Sequence, residues 1–259
     1  MTLDLPAVLR EAAARWRLDR ALLLPIAGLF LFVPQWAVLL FVPDAPQVVT
    51  DTGDAAAVMA WAEAVQRWMQ NYGPLYLGAF VIAQWGQLAV IALYLGGGGA
   101  AERPTVGGAL ARAGRLLIRY VLAELLVSMP LGAAVLAGSV APPLLLLVVP
   151  ALIYVLGRTV LVGPALLTRR PLGAVRAVAT SWRWTRGHGT PLALLAGALV
   201  IGAPVLVGLV KAAGDAMSAA HLANPVVLAA LDALAAAVAA GAMLALSMCV
   251  GVLYRRLAR

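Results

Sequence analysis

Residues 168–195 read TRRPLGAVRAVATSWRWTRGHGTPLALL. Five arginines (Arg169, Arg170, Arg176, Arg183 and Arg186) and no acid fall between two long apolar runs. Short loops rich in Lys and Arg stay on the cytoplasmic face of a membrane, because moving these charges across it is costly. The stretch therefore sets the orientation of every apolar run around it. Within it, Leu172, Val175, Ala179 and Trp182 recur at helical spacing. This predicts an amphipathic helix on the inner leaflet, with that face toward bilayer or bundle and Arg176 and Arg183 toward lipid phosphates.

Composition agrees. The 259 residues are 63% hydrophobic and 12% charged, with mean hydropathy +0.95. Soluble domains carry roughly 45–50% apolar and about 25% charged residues. An all-α, polytopic membrane bundle follows, since little surface is left for water. The formal charge of +8 sits in short segments between apolar runs, so it reads as topology and attraction to anionic lipid, about 1 kcal/mol per basic residue. No basic face is left over for nucleic acid. The lone cysteine, Cys249, allows no disulfide within the chain and no cysteine metal cluster. The first apolar run, Ala21–Val42, has 22 residues. That exceeds the 7–15 of a signal peptide, and Val42-Pro43-Asp44 is no small-residue cleavage site. It is expected to be a retained span.

Taken in order, residues 3–18 form an amphipathic helix with Leu5, Leu9, Ala12 and Trp16 on one stripe. Spans are expected at about 21–42, 74–95, 116–138, 144–167, 191–210 and 225–254, each long enough to cross a hydrocarbon core of ~30 Å. The whole chain, 1–259, reads as a single membrane domain of six spans plus interfacial helices. Residues 43–73 make an acidic loop, in which Asp54 caps a helix to about Tyr72 that lies on the outer leaflet or over the bundle mouth. Gly96–Ala101 is a connector. Arg103–Arg119 is a second basic amphipathic stretch with Arg112, Arg115 and Arg119 on its polar side.

The arginine count checks this layout. Residues 96–119 carry four arginines and one acid, residues 168–190 five arginines, and the C-terminus Arg255, Arg256 and Arg259. The three loops opposite carry only Arg67 and Lys211 as basic residues. Six spans with both termini cytoplasmic satisfy every loop, and with them a bacterial inner-membrane location. Arg103-Pro104 and Arg170-Pro171 each open an amphipathic helix between two spans. This is either a parallel internal repeat or only the suitability of proline for a first helical turn.

Ionisable groups inside spans cost about 2.5–3.5 kcal/mol on insertion scales and should face protein or water. They are Glu124, Arg158 and Asp232. Glu124 and Arg158 lie on adjacent antiparallel spans, ~9 and ~15 Å from their inner ends at 1.5 Å per residue. An ion pair between them is the expectation, with a substrate or proton path as the alternative. Asp232 has Lys211 as its candidate partner. Gln84 and Gln87 share a face and are expected to hydrogen-bond between helices. Ala229, Ala233, Ala237, Gly241 and Ala245, each four apart, predict a tight helix seam within the chain, or a homodimer face.

No catalytic, cofactor or metal-ligating motif stands out. His188 and His221 fall on opposite sides of the predicted membrane, and there is no HExxH, phosphate loop or nucleophile elbow. The chain is expected to be non-catalytic and to use no cofactor. The function expected is a lipid-interacting or partner-organising membrane module. The alternatives are a transporter or channel with a polar path near Glu124 and Arg158, and a membrane-embedded lipid-processing enzyme. Expected partners are the lipids of the anionic inner leaflet, with a protein partner or homodimer as further candidates.

Residues 163–195, GPALLTRRPLGAVRAVATSWRWTRGHGTPLALL, resemble the signature of a group of bacterial six-span proteins. The group is named for the membrane domain fused to some glycerophosphoryl diester phosphodiesterases. The resemblance extends to the RPTVGGALARA segment (Arg103–Ala113), Arg158, the SWRWTRG segment (Ser181–Gly187) and the C-terminal YRRL (Tyr254–Leu257). It implies the same order of spans and inner helices over nearly the whole chain. No phosphodiesterase catalytic domain is present in these residues, so the resemblance implies no such activity.

Overall fold

The computed structural model describes residues 3–46, 54–95, 105–140, 142–169, 172–220 and 224–258. Among them every regular element is a helix, and six helices are long and apolar enough to cross a membrane. This is a multi-pass integral membrane protein. The connector 96–101, both Arg-Pro pairs (with Arg170) and His221 lie outside the described residues.

The first helix, α1 (Leu5–Phe41), is 37 residues long, ~55 Å at 1.5 Å per residue. It fuses the expected amphipathic segment and the first span into one rod. The sequence alone suggested a break near Asp19, but nothing there stops a helix: Asp4 caps the start, accepting from Ala7 N–H at 3.1 Å. The disruption comes further on, where Ala27–Phe32 is wound as π-helix and Val33 N–H donates to Gly28 O, five residues back. Pro34 follows, and a proline can give no N–H to the carbonyl four residues earlier. A wider turn absorbs the misfit without ending the helix.

The second helix, α2 (Ala55–Leu95), has 41 residues, ~61 Å by the same rise. The expected separate outer helix is therefore the protruding first half of the second span. Pro74 removes one backbone donor but does not terminate it. The outer half is tied to the segment after α1: the indoles of Trp61 and Trp68 donate to Pro46 O at 3.4 Å and Pro43 O at 2.9 Å.

A short amphipathic helix, α3 (Val106–Gly114), is capped by Thr105, whose side chain accepts from Gly108 N–H. It leads into α4 (Leu117–Val140). The fourth span is broken. It comprises α5 (Leu145–Thr159) and α6 (Val162–Thr168), with residues 162–167 all buried. The second amphipathic helix is α7 (Ala174–Trp184), and Gly187 makes the turn after it with φ +84°, a conformation natural only to glycine. α8 (Gly189–Ala219) is longer than expected and takes in most of the predicted outer loop. α9 (Pro225–Leu257) closes the fold.

Each span touches the next, and α9 closes back on α1, so the six form a ring in chain order. α9 also packs on α2 across the ring. These two are the core: 56% of the apolar stretch of α9 and 44% of that of α2 are buried, against 11% for α4, 22% for α5–α6 and 17% for α8. Both termini sit at the same, basic end, where Glu11 pairs with Arg256 at 2.9 Å and Arg15 at 3.0 Å. There Arg255 donates to Tyr94 O at 2.6 Å.

Candidate functional site

Between the six spans lies a partly open cavity of ≈ 480 Å³. Helices from every span line it. Gln35 comes from α1, Gln84 and Gln87 from α2, Tyr120 and Glu124 from α4, Thr159 from α5 and Ser247 from α9. The remaining wall is apolar, with Leu156, Leu199, Val200, Val207, Met243 and Leu246 among its residues. Gln84 and Gln87 are three residues apart on one helix and so reach the same volume. Gln84 is 8% exposed, and its Oε1 is buried without a hydrogen-bond partner. A buried carbonyl oxygen left unpaired costs about 1–3 kcal/mol, so this atom presents an unmet acceptor. Glu124 is half-buried and accepts a hydrogen bond from Tyr120, one turn earlier.

The expected Glu124–Arg158 pair does not form. Arg158 is 5% exposed, but its guanidinium belongs to another constellation. It donates to the carbonyls of Thr185 and, at 2.8 Å, Trp182, at the C-terminal end of α7. It also lies over the Trp182 ring at 4.8 Å and the Tyr154 ring at 5.9 Å. A helix C-terminus exposes unsatisfied carbonyls and a partial negative charge, and a guanidinium meets both with a fork of donors. The distance along the helices allowed either partner; the break after Thr159 turned Arg158 toward α7.

That break needs its own partners, and the SWRWT segment supplies them. Ser181 Oγ donates to Arg158 O at 2.8 Å and accepts from Leu161 N–H at 3.1 Å. Thr185 Oγ1 reaches Arg158 O at 3.2 Å. Ser181 and Thr185 are wholly buried. The buried side of α7 is thus Ala177, Ser181 and Thr185, while Val175, Ala179 and Trp182 are exposed. The close approach of α5 to α8 beside this site requires Gly157: a Cβ there would lie 2.6 Å from Ala193 N.

Of the basic residues expected to face lipid, Arg115, Arg119, Arg169, Arg176, Arg183 and Arg186 are exposed. Several also hold the fold. Arg119 donates to Leu172 O at 3.4 Å, and Arg169 lies 5.2 Å from the Trp184 ring centroid. Arg112 is half-buried and donates to Leu167 O at 3.2 Å, at the C-terminal end of α6. Asp232 lines a second, outer pocket of ≈ 230 Å³ with Asp44, Lys211 and Asp215. There Lys211 bonds Asp44 at 2.6 Å rather than Asp232. The small-residue stripe is not a continuous seam. Ala229, Ala233 and Ala245 are half-buried, but Ala237 and Gly241 are exposed, with nothing within 4 Å of a Cβ built on Gly241.

Gln35, Tyr120, Thr159 and Ser247 were not singled out from sequence. Gln35 carried the same signal as Gln84, a carboxamide inside an apolar run. The hydroxyls carry little signal, because Ser and Thr often satisfy themselves on their own helix, as Ser247 does on Met243 O at 2.8 Å. Among the described residues, no group of three or more His, Cys, Asp or Glu is placed to hold a metal ion. Compared with family models, with curated proteins and with solved structures, the chain gives no match.

Proposed function

We propose that this protein is a non-catalytic, lipid-interacting module of the bacterial inner membrane, binding a lipid-like amphiphile in its central cavity. The observation that carries the proposal is the cavity itself. It is mostly apolar, lies among the spans, and gathers a few hydrogen-bonding groups from separate helices. Small-molecule sites have this form, with volumes of ~300–1,000 Å³. Both termini and the two amphipathic helices are assigned to the cytoplasmic side. The support is the arginine distribution and the exposure of Arg115, Arg176, Arg183 and Arg186, which suits attraction to anionic headgroups.

The proposal also takes the chain as a relative of the membrane-domain family resembled by its Ser181–Gly187 and Arg103–Ala113 segments. Ser181 and Thr185 have a physical role in this fold, stitching α7 to the broken fourth span. A second reading, passage of the amphiphile through the cavity, is favoured by the low burial of the spans holding α4, α5 and α8, which wall it together with α1, α2 and α9.

Native mass spectrometry of the protein extracted in mild detergent tests the binding role. The expected result is a retained lipid-mass adduct on the unaltered protein, lost when Ala203→Phe or Ala242→Phe fills the cavity. Adducts equally abundant on filled variants that still fold would refute it. Flux of the same amphiphile in proteoliposomes would favour passage over static binding.

A further inference from the structure

We infer that the cavity takes a lipophilic amine: an alkyl chain ending in a protonated, hydrogen-bond-donating nitrogen. The inference rests on the binding role proposed above and assigns the chemistry of the ligand.

The polar inventory of the cavity is one-sided. It holds one carboxyl, Glu124, and three carboxamides, Gln35, Gln84 and Gln87, and no Lys, Arg or His lines it. The two cations next to its lining residues in sequence are spent elsewhere: Arg158 on the carbonyls of Trp182 and Thr185, and the exposed Arg119 on Leu172 O. Among the described residues the ion pairs are Arg15–Glu11, Arg256–Glu11 and Lys211–Asp44, all at the two ends of the bundle. Glu124 therefore meets no protein cation. Gln84 lines the same cavity, and its Oε1 is buried and meets no donor. An ammonium carries a positive charge and three donors and no acceptor, which matches a carboxyl plus an unmet carbonyl oxygen. A phosphate or carboxylate head would place its negative charge beside the Glu124 carboxyl with no cation to offset it in a low-dielectric site. Leu156, Leu199, Val200 and Leu246 supply the apolar wall for the chain.

The test is equilibrium binding to the full-length protein in phosphatidylcholine nanodiscs, with protein-free discs subtracted. The probes share one chain length: dodecylamine, dodecanol and dodecyl phosphate. The expected result is saturable dodecylamine binding at least about tenfold tighter than dodecanol, with dodecyl phosphate weakest. Glu124→Gln is expected to weaken dodecylamine by about tenfold or more and to leave dodecanol within about twofold. The ranking in the unaltered protein decides the matter even where Glu124→Gln does not fold. Dodecyl phosphate or dodecanol binding as tightly as dodecylamine would overturn the amine assignment and leave the cavity a binding site. No saturable binding of any probe would overturn the binding role together with it.

Discussion

Ser181 and Arg158 are joined side chain to main chain: the Ser181 hydroxyl donates to Arg158 O at 2.8 Å while accepting from Leu161 N–H at 3.1 Å. One hydroxyl thus meets two backbone groups where α5 ends and α6 begins, Leu161 N–H and Arg158 O, the latter shared with Thr185 Oγ1 at 3.2 Å. The site is sealed from solvent, with Ser181 0% exposed, so no water replaces a lost partner. Ser181→Ala is expected to cost about 1–3 kcal/mol and to lower the melting temperature of the detergent-solubilised protein. An unchanged melting temperature would show that the break is satisfied in another way.

Arg158 and Glu124 act separately in this structure. A double-mutant cycle with Arg158→Gln and Glu124→Gln should give a coupling energy below ~0.5 kcal/mol, the level at which independent sites add. Arg158→Gln alone should be strongly destabilising, since two carbonyls at the end of α7 lose a charged donor. A coupling of ~1 kcal/mol or more in chemical denaturation would restore the direct ion pair expected from sequence.

Gly157 is fixed by contact rather than by dihedral angle. With Ala193 N 2.6 Å from any added Cβ, the backbone of α8 itself must move. Gly157→Ala should cost about 1–3 kcal/mol through overpacking. Gly202→Ala, with nothing within 4 Å of its Cβ position, is the matched control in a thermal-shift comparison and should be near neutral.

The topology makes a labelling prediction. In a Cys249→Ser background, Arg186→Cys should react with an impermeant maleimide in inverted vesicles, and Asp44→Cys in intact cells. Both positions are exposed, at opposite ends of the bundle. The reverse pattern would invert the assigned orientation.

Long apolar runs made the six spans legible, because their lengths are dictated by the bilayer and need no tertiary information. Helix joins were less legible. Asp19 and Pro74 look like boundaries in the sequence, yet a polar residue outside the hydrocarbon and a single proline both leave a helix continuous. The intramembrane polar residues were found as individuals, since each is costly in lipid. Their partners were not, because partner choice hung on the break after Thr159. Periodicity could not reveal it: the run from Leu144 to Leu167 is apolar throughout except at Arg158 and Thr159. The Ser181 and Thr185 hydroxyls acquire meaning only beside that break. The stripe from Ala229 to Ala245 is legible only in part, since spacing shows that residues share a face but not what covers it.

The central claim is that the volume bounded by Gln84, Glu124, Leu199 and Met243 holds an amphiphile. Photo-crosslinking with a diazirine-bearing alkylamine in nanodiscs, mapped by peptide mass spectrometry, tests it most directly. The account predicts labels on the cavity wall, at residues such as Leu199, Ala203, Met243 and Leu246, suppressed by excess dodecylamine. Labels confined to outward-facing residues such as Leu146, Leu147 and Leu209, and unaffected by competitor, would contradict it.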